Sequence, residues 1–230
     1  MRASNIDFKS QGHNLAGSFN KRNKYPDALV LLLHGLTNSM VDCPLINEAG
    51  EAFKNNEFST FTFDYYGSGL SEGEFKDKTF SLLVQNTQDA LKYVTEELRF
   101  KKIGIWGRSL GAILGATICD NKHVAASVFI SFCVHTNISF SGFFPKNKSY
   151  SLPIKGTGKV KGEPILPHKF YEETNWIDKL QRNHLSNAKK ILIVQGTEDK
   201  TVYDTQWAKE IYEMTQEPKR LIYIEGADHS

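Results

Sequence analysis

Three residues far apart in the chain, Ser109, Asp199 and His229, carry side chains that could work together as nucleophile, orienting acid and base. Ser109 is the centre of Gly107-Arg108-Ser109-Leu110-Gly111, a Gly-x-Ser-x-Gly run between a strand-like segment and a helix-like one. A serine on such a strand-to-helix turn has its Oγ raised from the sheet edge, and the helix behind it aims backbone N–H groups at the same point. Glycine suits both flanks, because a side chain at 107 or 111 would collide with the neighbouring strand or helix and because glycine tolerates strained dihedrals. The hydroxyl is a poor nucleophile until a base takes its proton. A histidine does this best when a carboxylate fixes its tautomer and stabilises the imidazolium.

Asp199 follows Ile191-Leu192-Ile193-Val194-Gln195 within Gly196-Thr197-Glu198-Asp199, and His229 follows Arg220-Leu221-Ile222-Tyr223-Ile224 within Gly226-Ala227-Asp228-His229. Both therefore lie just beyond the carboxyl end of a strand, the place where open α/β sheets bind ligands. A further loop of this kind is His34-Gly35-Leu36, after the apolar run 28–33. There Gly35 lets the backbone N–H of Leu36 face the site, and with the N–H of Leu110 it would form an oxyanion hole. His34 reads as a residue that shapes this loop rather than as a base. Rivals for the other roles are weaker. Glu198 neighbours Asp199 and would point away from it. Asp228 is too near His229 in sequence to turn back on it, and His123, His135, His168 and His184 do not follow strands in the required order.

The elements that must hold these positions can be read from the hydrophobic pattern. Residues 6–8 and 13–19 form a hairpin through Gln11-Gly12, and 28–33 is a strand buried on both faces. A helix over 46–55 leads to a strand over 58–64, and a long helix over 79–98, with Leu82, Leu83, Ala90, Leu91, Val94 and Leu98 as its buried stripe, leads to the strand before Ser109. The elbow helix over 110–118 is followed by a buried strand over 124–132. Alternation returns with a helix over 176–185, a strand over 191–195, a helix over 204–214 and a strand over 220–224. Between them, 133–175 is rich in Ser, Lys, Gly and Pro with scattered aromatics, among them Phe140, Phe143, Phe144 and Tyr150, and is expected to be a cap over Ser109 with a small hairpin around Gly156-Thr157-Gly158. Lys146, Lys148, Lys155, Lys159 and Lys161 make it locally basic, a weak pointer to anionic substrate groups.

Two glycine-rich stretches imitate nucleotide loops and fail as such. In Gly67-Ser68-Gly69-Leu70-Ser71-Glu72 the glutamate stands where the third glycine belongs, and near Gly156-Thr157-Gly158-Lys159 Pro153 replaces the first glycine and Val160 the magnesium-binding hydroxyl. The first is read as a turn at the rim of the site. Composition narrows the rest: 230 residues, 40% hydrophobic and 23% charged, fit one α/β domain over 1–230 with a core of its own. A net charge of +2 without a dense basic cluster argues against a nucleic-acid partner. Cys43, Cys119 and Cys133 are odd in number and lack C-x-x-C spacing, so neither a disulfide framework nor a zinc site is expected. The N-terminus has no signal-like apolar stretch, and the run 28–33 is far too short to cross a bilayer, so the expected location is cytoplasmic.

Taken in order, His34-Gly35, Asp64-Tyr65-Tyr66-Gly67-Ser68-Gly69-Leu70-Ser71, Gly107-Arg108-Ser109-Leu110-Gly111, Gly196-Thr197-Glu198-Asp199 and Gly226-Ala227-Asp228-His229 resemble the α/β-hydrolase superfamily across nearly the whole chain outside the cap. Within it the sequence is most similar to bacterial cinnamoyl/feruloyl esterases and small carboxylesterases, where a similar Gly-rich turn and Gly-Ala-Asp-His ending occur. The resemblance implies a mostly parallel central sheet flanked by helices, with a cap insertion at about 133–175. It also implies a small-molecule ester substrate, hydrolysis through an acyl-enzyme, and neither cofactor nor metal. Members of the family usually continue past the histidine into a further helix, whereas this sequence stops one residue after His229. Lack of that helix would leave apolar sheet surface on which a homodimer could form. A peptidase or amidase acting on small peptides would use the same three residues. A binding protein of this fold would usually lack part of the set, and haloalkane dehalogenation would need a carboxylate in place of Ser109.

Overall fold

The structure, a computed structural model, describes residues 4–141, 160–202 and 204–229. Strands β1 (Ser4–Ser10), β2 (His13–Asn20), β3 (Ala28–Leu33), β4 (Ser59–Phe63), β5 (Lys102–Arg108), β6 (Val124–Ile130), β7 (Lys189–Gly196) and β8 (Gln216–Ile224) form one sheet in the order β1-β2-β4-β3-β5-β6-β7-β8. The β1–β2 and β2–β4 pairs are antiparallel, and every pair from β4 through β8 is parallel. Gln11 (φ 49°) and Gly12 (φ 85°) make the two-residue hairpin turn, the positive φ pair that matches the twist of the flanking strands. The parallel arrangement is what gathers the candidate residues, since it sets the carboxyl ends of β3, β5, β7 and β8 along one edge of the sheet.

Residues paired across the sheet share a face, which explains the unbroken apolar run of β3. Leu29, Leu31 and Leu33 enter the larger core with Leu83 and Leu91 of α2 (Phe80–Lys92), Ile113 of α3 (Leu110–Ala116), Ile177 of α6 (Thr174–Leu185) and Ile211 of α7 (Gln206–Met214). Val30 and Leu32 face the other way and meet Trp106 and Ile46, the latter from α1 (Pro44–Asn55). Both faces of β3 are therefore dry.

β6 departs from the expectation of a strand buried throughout. Ala125 and Ala126 are exposed, and Val128 and Ile130 are half-buried. The register places Val128 and Ile130 on the face of Trp106, continuing into Leu192 and Val194 of β7 and Ile222 of β8. On that face the cluster formed by α1 with β3 and β5 takes in Val128 and Ile130 only at its margin, so they are covered in part. A single strand's pattern does not reveal which helix reaches it.

The helix expected over 79–98 also differs. It runs as α2 from its N-cap Thr79, whose side chain accepts from Leu82 N–H, and ends in a π-helical turn at Tyr93–Glu97. Its buried positions include Phe80, Val84, Asn86 and Thr87, while Leu82 and Leu98 are only half-buried.

The segment 133–175 holds more helix than its composition suggested. Two short helices, α4 (Thr136–Ser139) and α5 (His168–Glu172), flank its undescribed part, and α6 starts at Thr174. Aromatic contacts tie these flanks to α2. Phe170 stacks on Phe80 with ring centroids 4.1 Å apart, and Phe140 meets both edge-on at 5.4 and 5.9 Å. Glu173 accepts from Ser81 N (2.8 Å) and Ser81 Oγ (2.7 Å) at the N-terminus of α2, where the helix dipole favours a carboxylate. Lys161 donates to the carbonyl of Ser71 at 2.5 Å, beside the glycine-rich turn. The expected hairpin around 156–158, Phe143, Phe144 and Tyr150, and Lys146, Lys148, Lys155 and Lys159 lie outside the described residues.

Candidate active site

Ser109 stands between the last residue of β5 and the first of α3, with φ 54° and ψ −121°. Both flanking glycines are sterically required. A Cβ on Gly107 would come within 2.5 Å of the Gly111 carbonyl oxygen, and one on Gly111 within 2.0 Å of the Leu33 carbonyl oxygen. The expectation that these glycines also absorb the strained dihedrals is corrected: the positive φ of the elbow is carried by Ser109 itself. A non-glycine residue in that region costs of order 1–3 kcal/mol, held here by the packed turn around it. Ser109 N–H donates to Ile130 O at 2.9 Å, which fastens the elbow to β6. Leu110 opens α3, so its N–H has no intrahelical carbonyl to donate to.

The chain order Ser, Asp, His becomes one connected group of side chains. His229 Nε2 lies 3.0 Å from Ser109 Oγ, and His229 Nδ1 lies 3.0 and 2.8 Å from Asp199 Oδ1 and Oδ2. Asp199, buried at 4% exposure, also accepts from Thr201 N (2.9 Å), Val202 N (2.8 Å) and Gln195 Nε2 (3.3 Å). Burial alone would raise its pKa, but the hydrogen bond and charge of His229 and the two backbone N–H groups outweigh it and hold the carboxyl down to about 2. Asp199 is thus a fixed anion, and His229 must present Nδ1–H to it. In the neutral imidazole of that tautomer Nε2 faces Ser109 Oγ with a lone pair, the geometry in which it can accept a hydroxyl proton. Glu198 is exposed, in contrast to the buried Asp199 beside it. His135, His168 and His184 are engaged elsewhere, with Glu210, Glu172 and Asp120 respectively.

The loop after β3 is shaped from beneath. His34 is fully buried, and desolvation pushes its pKa down to about 3, so the ring is neutral. Its Nδ1–H donates to Gly35 O at 2.7 Å. The contact of Nε2 with Asp64 Oδ1 at 3.8 Å is therefore not an ion pair. A peptide plane held by its carbonyl turns its N–H the other way, so this bond fixes the direction of Leu36 N–H. Gly35 leaves the room required. A Cβ there would lie 3.1 Å from Asn38 Oδ1, 3.3 Å from Arg108 Nη1 and 3.7 Å from Ser109 Cβ. Asp64 accepts from Met40 N (2.7 Å) and Leu70 N (2.8 Å), and a Cβ on Gly69 would come within 2.0 Å of Asp64 Oδ2. The glycine-rich turn thus closes around a carboxylate of the protein.

Arg108 was missed by sequence reasoning as anything but a motif filler. Its guanidinium donates to Asn38 Oδ1 at 3.3 Å and to the His229 carbonyl, joining the loop after β3 to the loop that carries the histidine. The available signal was a charged residue directly after the uncharged run 103–107 and next to Ser109, which side-chain alternation does not account for. Among the described residues no group of three or more His, Cys, Asp or Glu side chains is arranged to hold a metal ion, and no helix is long and apolar enough to cross a membrane.

Comparison with known proteins accords with this architecture. Residues 24–156 match the family model described as serine aminopeptidase, S33. Among solved structures, Est1E from Butyrivibrio proteoclasticus with ferulic acid bound is 19% identical, with 97% of this chain and 90% of that chain covered and a TM-score of 0.82. A putative hydrolase from Agrobacterium vitis is 17% identical over 99% of this chain and 91% of its own, TM-score 0.78. An esterase from Pyrococcus furiosus is 18% identical over 99% and 84%, TM-score 0.73. At such identities the likeness is one of fold. No curated protein sequence gives a significant match. A family match over more than half of the sequence, on a sheet of this order, places the chain in the serine aminopeptidase S33 family of α/β hydrolases.

Proposed function

We propose that this protein hydrolyses carboxylic esters of small molecules through an acyl-enzyme on Ser109. The observation that carries the reading is the unbroken series of hydrogen bonds from Ser109 Oγ through both nitrogens of His229 to the buried Asp199 carboxylate. In this mechanism His229 Nε2 takes the hydroxyl proton as Ser109 Oγ attacks the acyl carbon. The carbonyl oxygen becomes an oxyanion that receives the N–H groups of Leu36 and Leu110, each such donor contributing about 2.7–4 kcal/mol of transition-state stabilisation. His229 then gives its proton to the leaving alcohol oxygen. Water, deprotonated by His229 in turn, attacks the acyl-enzyme and frees the acid. Asp199 remains an anion throughout.

The acyl group is assigned to the cinnamoyl/feruloyl class, with support from the likeness of fold to Est1E, whose structure holds ferulic acid. Three buried free cysteines support a reducing, cytoplasmic setting. A second reading, cleavage of amides in small peptides, is favoured by the description of the family model and uses the same residues. The two differ in the leaving group, and parallel assays with methyl ferulate and leucine p-nitroanilide decide between them. Ester turnover that disappears in Ser109→Ala supports the first. Anilide turnover without ester turnover supports the second, and Ser109→Ala activity equal to the parent's excludes both.

A further inference from the structure

Lys78 is 1% exposed, a rare condition for a lysine. It follows a 3-10 turn at Phe75–Asp77 that is closed by a reciprocal capping box between Glu74 and Asp77, so the stem of its side chain starts from a fixed point. Its Nζ donates to Leu36 O at 3.3 Å and to Ser68 Oγ at 2.5 Å, and lies 4.6 Å from the centre of the Phe75 ring. Gly67 borders the side chain: a Cβ there would stand 3.3 Å from Lys78 Cε and, nearer still, 2.3 Å from the Glu74 carbonyl oxygen. Asp64, fully buried, supplies the opposite charge, and the neutral His34 ring shares the same space. Burial pushes the ammonium down to about 7, with Asp64 acting against it.

Such a side chain is a poor choice for packing alone, since a methionine would fill the volume without desolvating a charge. What it adds is a pair of hydrogen bonds between two loops. One is the loop after β3, where His34 already holds the carbonyl before Leu36; Lys78 holds the carbonyl after it. Both peptides flanking the Leu36 Cα are thereby held by their carbonyl oxygens. The other loop is the glycine-rich turn, reached through Ser68.

We propose that Lys78 is a positioning residue for the oxyanion hole, bracing the Leu36 carbonyl so that the Leu36 N–H stays aimed at the oxygen of the tetrahedral intermediate. This rests on the serine-hydrolase reading above. The test compares the parent, Lys78→Met, Ser68→Ala and Ser109→Ala for p-nitrophenyl butyrate kinetics, inhibition by butaneboronic acid and melting temperature. Butaneboronic acid forms a tetrahedral adduct with the serine and so probes the same hole. Lys78→Met is expected to lower kcat about 10- to 100-fold, the usual effect of a misplaced catalytic group, with KM within about twofold. Its inhibition constant for the boronic acid rises by the same factor while the melting temperature does not fall. Ser68→Ala, which leaves the lysine tethered at one end only, lowers kcat about threefold or more with KM unchanged.

Lys78→Met with parental kcat and boronate affinity overturns the proposal, whether or not its melting temperature changes. If that variant does not fold, Ser68→Ala decides: parental kcat and boronate affinity overturn the proposal, and a kcat loss matched by the boronate supports it. A dead Ser109→Ala beside an unimpaired Lys78→Met removes this proposal alone. Ser109→Ala as active as the parent removes the serine-hydrolase reading and the proposal together.

Discussion

Replacing Asp199 by asparagine should switch the tautomer of His229, and the structure says which way. Asp199 Oδ1 accepts the N–H groups of Thr201 and Val202, at 2.9 and 2.8 Å. An amide nitrogen cannot accept either of them, so the asparagine oxygen must occupy the Oδ1 position. Its NH2 then occupies the Oδ2 position, 2.8 Å from His229 Nδ1. That donor at 2.8 Å opposes an Nδ1–H more strongly than the amide oxygen, 3.0 Å from Nδ1, attracts it, and so favours Nδ1 as acceptor with the ring proton on Nε2, opposite Ser109 Oγ at 3.0 Å. The base is then occupied. In serine triads this change lowers kcat by about 10⁴-fold, which is ~5.4 kcal/mol of barrier. The assay is steady-state hydrolysis of p-nitrophenyl butyrate by Asp199→Asn, with Glu198→Gln as a control at the exposed neighbour, whose activity should match the parent's. A kcat for Asp199→Asn within tenfold of the parent would refute the tautomer argument and with it the role given to Asp199.

Arg108→Met removes the guanidinium that joins Asn38 to the His229 carbonyl. We expect kcat to fall about 10- to 100-fold through looser placement of His229, and a loss of roughly 2 kcal/mol in urea unfolding; unchanged kinetics would contradict the link. Gly111→Ala drives a Cβ to 2.0 Å from the Leu33 carbonyl oxygen, and should cost about 3 kcal/mol or more by overpacking against backbone, measured by the same unfolding. Gly226→Ala, with nothing within 4 Å but φ +70°, should cost about 1–2 kcal/mol from backbone conformation alone. Lys78 gives a pH signature. Its folded value of about 7 lies below its ordinary 10.5, so the unfolded chain binds the extra proton between these values and this residue makes stability rise with pH across that window. The difference in melting temperature between Lys78→Met and the parent should therefore narrow from pH 7 to pH 10, and a constant difference would contradict a buried, destabilised ammonium.

Much of this site could be read in the sequence because its parts sit on strand ends. The apolar run of β3, bounded by His34-Gly35, announces both a buried strand and a loop, and the glycines of the elbow mark the crowding that the Leu33 and Gly111 carbonyls impose. Asp199 and His229 are legible in the same way, each after a short strand, and the parallel pairing of β7 with β8 sets those ends side by side. What escaped depends on contacts between distant segments. Nothing near Lys78 in sequence says that its amine lies under Leu36, forty-two positions away. Arg108 looks like any loop arginine until Asn38 and His229 are folded around it. The half-covered face of β6 depends on how far α1 extends across the sheet, and α5, with Pro167 before it and only one turn of helix, is too short for periodicity to register.

The central claim is that Ser109 Oγ is the nucleophile of an ester hydrolase. Its most direct test is the initial rate of p-nitrophenyl butyrate hydrolysis by the parent and by Ser109→Ala, prepared identically, with fluorophosphonate labelling of each. Turnover and labelling in the parent, and neither in the variant, is the predicted result. Equal turnover in the two proteins, or a parent inert to both reagents, would contradict it.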